Sequence, residues 1–242
     1  MSRGGSAACA LAAVSLLFAF ACAKRVAPPV PEGEDYVFPA VAPGEVTAAE
    51  SEALREAWRD VLGGDPGSAV RRYEKLLKRH PGLAPAEVGR AFASLRAGRV
   101  DEAAAGFAAV LERRPGDVAA LVGAGSAAVR RGDVDGALGF YRRAQVEAPE
   151  DALVRKRVAA LKLQVTERRM GLAQQALDRG DPEAAAREYA AALEAAPEVA
   201  GVRLALAELL VARGDLAGAT AVLESDPSGD RPAALRRADL LA

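Results

Sequence analysis

Five times along this chain the same residues return in the same order. Glycines stand at Gly64, Gly98, Gly132, Gly180 and Gly214, and five residues after each comes Ala69, Ala103, Ala137, Ala185 or Ala219. Four further on are Tyr73, Phe107, Tyr141, Tyr189 and Leu223, and prolines follow at Pro81, Pro115, Pro149 and Pro197. The steps between glycines are 34, 34, 48 and 34 residues. A recurrence of this length marks a stacked array of similar units. The residue types describe the unit. Glycine tolerates the left-handed conformation that ends a helix. Asp65-Pro66 and Asp181-Pro182 restart one, with Asp as N-cap and Pro at the first helical position. The closing proline stops the second helix. One such hairpin cannot bury its apolar face alone, so stacked neighbours must supply the core. A composition with 51% apolar but only 5% aromatic residues fits close packing of small side chains.

A small residue, a ring and a proline on a second helix after a glycine-centred turn resemble the tetratricopeptide (TPR) family. The family's small residue on the first helix falls here on Ala57, Ala91, Gly125, Ala173 and Ala207. The resemblance covers roughly residues 50–151 and 166–230. It implies an all-α, TPR-like solenoid of about five helical hairpins. Repeats one to three occupy residues 47–151, and repeats four and five, with a short C-terminal capping helix from Pro232 to Ala242, occupy 166–242. Between them lies an insertion of 14 residues, Ala152 to Val165, without Gly or Pro. At 100° per residue it turns about 1400°, roughly 40° short of four full turns, so an unbroken helix keeps nearly the same face inward. Val154, Val158, Leu161 and Val165 share that face. The spacing predicts one long helix from about Ala152 to Asp178; the alternative is a break near Val165-Thr166.

The start of the chain is of another kind. Arg3 precedes an apolar run, Ala7 to Ala21, that suits the apolar core of a signal peptide. The run ends in Phe18-Ala19-Phe20-Ala21-Cys22, which resembles a bacterial lipobox, with Ala19 where Leu is usual. That resemblance implies a signal peptide over 1–21, lipidation of Cys22, and membrane anchoring; the alternative is an ordinary secretory signal cut near Ala23. Ala23 after the Cys implies an outer-membrane lipoprotein facing the periplasm. The other cysteine, Cys9, lies inside the signal. Residues 22–46 are rich in Pro and Gly and read as a tether. Tyr36-Val37-Phe38-Pro39 is out of place in a pure spacer. The simpler reading rests these aromatics on the first helix pair; the other lays the segment in a groove, the chain's own or a partner's.

No enzyme constellation is present. There is one histidine, His80, set before Pro81 at a helix end, where it serves as a C-terminal cation. No metal or cofactor site is expected. Charges balance, with Lys+Arg 32 against Asp+Glu 33 and a net charge of −1, which argues against nucleic acid. Arg155, Lys162 and Arg169 are spaced by seven and form a basic strip, read either as a docking strip for an acidic partner or as a solvated helix face.

What remains is recognition. The family binds peptides or protein surfaces on the face of its first helices. Carried over by repeat position, the groove candidates are Leu54, Trp58, Val88, Phe92, Val122, Ser126 and Arg130 in the first three repeats. Met170, Gln174, Leu204 and Glu208 are their counterparts in the last two. Some relatives clamp a carboxylate with Lys and Asn where this chain has Trp58, Phe92 and Ser126, which argues against that clamp and for an apolar or aromatic anchor. The expected function is a membrane-anchored protein–protein interaction scaffold or assembly factor of the bacterial cell envelope. The alternatives are a passive structural lipoprotein and a periplasmic client chaperone.

Overall fold

The computed structural model describes residues 35–225. Ten α-helices lie among them: α1 (Ala48–Leu62), α2 (Pro66–Arg79), α3 (Ala84–Arg96), α4 (Val100–Arg113), α5 (Val118–Arg130), α6 (Val134–Glu147), α7 (Ala152–Asp178), α8 (Pro182–Ala195), α9 (Ala200–Ala212) and α10 (Leu216–Glu224). They form five antiparallel hairpins packed in sequence order. The expected signal peptide, Cys22 and the expected C-terminal capping helix lie outside the described residues.

Each hairpin is punctuated as the residues require. Gly64, Gly98, Gly132, Gly180 and Gly214 all take φ between 72° and 81° and end the first helices. Asp65, Asp133, Asp181 and Asp215 accept backbone N–H bonds as N-caps of the second helices. The chain enters α1 through a capping box in which Thr47 and Glu50 satisfy each other's backbone N–H groups.

The rings at the repeating aromatic position reach further than the recurrence alone states. Besides serving their own hairpins, they press against the next. A methyl built on Gly89 of α3 would meet Tyr73 Cζ of α2 at 2.3 Å, and one on Gly123 of α5 would meet Phe107 of α4 at 2.3 Å. At these two junctions the ring leaves no room for a Cβ sixteen residues on; after Tyr189 the same position is Ala205.

The insertion continues a helix: α7 runs unbroken for 27 residues, about 40 Å. Val154, Val158, Leu161 and Val165 of its first half join the core of the first three hairpins. Ala173 and Ala176 of its second half join the core of α8 and α9. One helix thus closes the first lobe and opens the second.

Candidate protein-binding site

The first helices of the hairpins are neighbours, α1 with α3 and α3 with α5, and together they line one face. Across that face of the first lobe lies the chain's own segment from Asp35 to Val41, outside any helix or strand. The Phe38 ring stands edge-on to Trp58 of α1, centroids 5.7 Å apart. Tyr36 meets Phe92 of α3 at 5.5 Å, with the Arg96 guanidinium 5.9 Å from the Tyr36 ring centre. Trp58, Phe92 and Phe107 continue the ladder inward at 5.4 and 4.9 Å. Tyr36, Val37 and Val41 pack on the first-lobe core. The aromatics therefore do more than rest on the first helix pair; the segment fills the chain's own groove.

The far end of the segment is held by charge. Arg157 of α7 grips Asp35 with a fork, Nε to Oδ2 at 2.7 Å and Nη2 to Oδ1 at 2.8 Å. Tyr141 Oη of α6 donates to Asp35 Oδ2 at 2.7 Å. Ser126 Oγ of α5 receives the Asp35 N–H at 3.1 Å and lies 3.0 Å from Tyr141 Oη. The side chains of Arg157 and Asp35 are only 23% and 11% exposed. Bidentate, charge-assisted bonds of this kind are the strong ones. Burial pushes the Tyr141 phenol well above its ordinary range, and the Asp35 carboxylate adds to the rise, so the hydroxyl stays protonated as a donor. Hydrogen bonding to Asp35 raises the Arg157 guanidinium further and fixes its charge.

The carboxylate on this face is held otherwise than by a Lys-and-Asn clamp at the positions of Trp58, Phe92 and Ser126. Arg157 of the inserted half of α7 and Tyr141 bond the Asp35 carboxylate, and Ser126 bonds Tyr141 and the Asp35 backbone. Neither Arg157 nor Asp35 is a groove position by repeat register. A trace of Arg157 exists: it stands sixteen residues after Tyr141, where Gly89 and Gly123 follow Tyr73 and Phe107.

The groove candidates divide by lobe. Leu54, Trp58, Val88, Phe92, Val122 and Ser126 are all buried. Arg130 is half-buried and donates to the Leu95 carbonyl at 3.4 Å. In the second lobe Gln174 and Glu208 are exposed and Leu204 half-buried. Met170 is 40% exposed there and Leu163 60%. Both line a cleft of about 500 Å³ with Ala159, Thr166, Ala196 and Val199. Sequence position did not single out Leu163, which lies on the inserted half of α7.

The basic strip finds partners inside the chain. Arg155 pairs with Glu150 at 3.0 Å and Lys162 with Glu198 at 3.0 Å. Arg169 bridges Asp135 of α6 at 2.9 Å and Glu188 of α8 at 2.8 Å, tying the lobes together. His80 caps the C-terminus of α2, its Nε2 3.6 Å from Glu50 Oε1. Among the described residues, no group of three or more His, Cys, Asp or Glu side chains is placed to hold a metal ion. No described helix is long and apolar enough to cross a membrane.

Family models of the tetratricopeptide repeat match residues 54–104 and 89–152, and another matches 176–241. No curated protein matches. Among solved structures, the chain is similar to a thermophilic TPR protein of Thermus thermophilus, at 21% identity and a TM-score of 0.43 over 79% of this chain and 98% of that one. It is similar to MamA of Desulfovibrio magneticus RS-1 at 18% identity and a TM-score of 0.41, over 76% of this chain and 98% of that one. It is also similar to the TPR2AB domain of yeast Sti1 in complex with pHSP90, at 16% identity and a TM-score of 0.43, over 80% of this chain and 83% of that one.

Proposed function

The chain belongs to the tetratricopeptide-repeat family, and from that premise we propose that it is a non-catalytic protein-interaction scaffold of the bacterial cell envelope. In this reading Cys22 is lipidated and holds it at the outer membrane, facing the periplasm. The array binds a protein partner on the face of its first helices, with the open cleft along α7, where the two lobes meet, as the partner surface. The observation that carries the reading is the contrast between the lobes. At corresponding repeat positions Leu54, Val88 and Val122 are buried, whereas Met170 is 40% exposed beside the more exposed Leu163. Apolar side chains lining an open cleft suit a partner's apolar anchor. Anchoring is supported by the sequence Phe18-Ala19-Phe20-Ala21-Cys22 after an apolar run.

A photo-crosslinking side chain placed at Leu163 in the native envelope tests the partner surface. One dominant protein product, lost when Met170→Asp is added, is expected. Products confined to the chain itself refute a partner at this cleft, and many weak products favour a client chaperone. Incorporation of labelled fatty acid, lost in Cys22→Ala, checks the anchor separately.

A further inference from the structure

The filled groove of the first lobe has a chemistry of its own. Its ligand reads carboxylate, aromatic, aliphatic, aromatic: Asp35, Tyr36, Val37, Phe38. Each element meets a dedicated receptor. Arg157 and Tyr141 take the carboxylate, Ser126 bonds the Asp35 backbone and Tyr141, Phe92 with Arg96 takes the first ring, and Trp58 takes the second. Arg157 is the telling residue. Gly89 and Gly123 hold that position at the two preceding junctions, and here a guanidinium stands in their place and forks onto the Asp35 carboxylate. Open space adjoins the segment on its α1 side. Phe38 is still 39% exposed. A cleft of about 480 Å³ lies beside it, lined by Glu52, Arg55, Trp58 and Arg59.

We propose that the first-lobe groove is a receptor for an extended segment with a carboxylate followed by aromatic side chains one and three residues later. Residues 35–38 are its intramolecular occupant. A partner protein presenting the same chemistry, with larger groups to fill the cleft beside Phe38, binds by displacing them. This rests on the reading that the first-helix face is where partners bind, but uses a different surface from the cleft at Leu163. The segment joins α1 through the turn at Ala42–Glu45, where Gly44 has φ 80°. So short a connection gives the occupant a high effective concentration, and an outside ligand must compete with it.

The test uses the full chain and an acetylated peptide of residues 35–41. Trp58, the single tryptophan, reports occupancy by its fluorescence. In Asp35→Ala/Tyr36→Ala/Phe38→Ala the internal occupant is disabled, and the peptide is expected to bind. It should bind the unsubstituted chain at least about 10-fold more weakly. Adding Arg157→Ala to the released variant should abolish binding. Far-UV circular dichroism checks that each variant is helical. Should the triple variant fail to fold, Phe38→Ala alone, which removes one half-exposed ring, must still bind the peptide more tightly than the unsubstituted chain. No binding to a folded released variant overturns the proposal, as does binding that ignores Arg157→Ala. Crosslinking of Asp35 to the Arg157 region of another copy also overturns it, because the occupant is then a second chain. The Leu163 crosslink is unaffected by any of these results, so failure here leaves the reading of that cleft standing.

Discussion

Adding one methyl group at matched repeat positions should give opposite results in the two lobes. Gly123 and Gly171 occupy the same register in the third and fourth hairpins. At Gly123 a new Cβ would sit 2.3 Å from two carbons of the buried Phe107 ring, so the ring must retreat by about an ångström. Overpacking a filled core costs about 1–3 kcal/mol, and a fully enclosed ring calls for the upper end. Alanine returns about 1 kcal/mol through helix propensity. Gly123→Ala should therefore destabilise by about 2 kcal/mol. At Gly171 nothing lies within 4 Å, because the insertion has carried this register off the preceding ring. Gly171→Ala should stabilise by about 0.5–1 kcal/mol. Urea denaturation followed by far-UV circular dichroism reads both, fitted as an array whose units unfold semi-independently. Equal effects of the two substitutions, or a Gly123→Ala chain as stable as the parent, would refute the packing account.

Other perturbations separate structural charges from ornamental ones. Arg169→Ala breaks a partly buried bridge between α6 and α8 and should cost about 1 kcal/mol, whereas Arg155→Ala should lie within about 0.3 kcal/mol of the parent, both read from urea midpoints. Tyr141→Phe removes the hydroxyl between Asp35 and Ser126 and should cost about 1 kcal/mol, with faster amide exchange at Tyr36 than in the parent. The Glu102 carboxyl, bonded by Ser94 at 2.8 Å and Arg99 at 2.7 Å, is held below its ordinary 4.5. Its contribution is thus present above about pH 4.5 and is lost as pH falls through the lowered value. Glu102→Gln should flatten that part of the acid limb in urea titrations from about pH 6 to about pH 3.

Much of the array was legible because its determinants are local and periodic. Gly98 acts within one hairpin, Phe107 recurs at a fixed step from it, and the unbroken α7 follows from 14 residues turning close to a whole number of helical turns. The filled groove was not legible in the same way. Asp35 and Arg157 are 122 residues apart, one before the first repeat and the other on the inserted half of α7. Repeat register can nominate Leu54, Trp58 and Phe92 for the first-helix face, but not what lies across them. The seven-residue spacing of Arg155, Lys162 and Arg169 likewise marks one helix stripe. The carboxylate partners of Lys162 and Arg169, namely Asp135, Glu188 and Glu198, come from α6, α8 and the turn after α8, and only the fold brings them near.

The most direct test is a nuclear Overhauser experiment on the full chain, with selectively labelled Phe, Tyr and Trp. The account predicts cross-peaks between Tyr36 and Phe92, whose rings lie 5.5 Å apart, and between Phe38 and Trp58, 5.7 Å apart. Both should vanish together in Arg157→Ala/Phe38→Ala. Absence of both cross-peaks in the unsubstituted chain, with fast amide exchange from Tyr36 to Val41, would show an open first-lobe groove and contradict it.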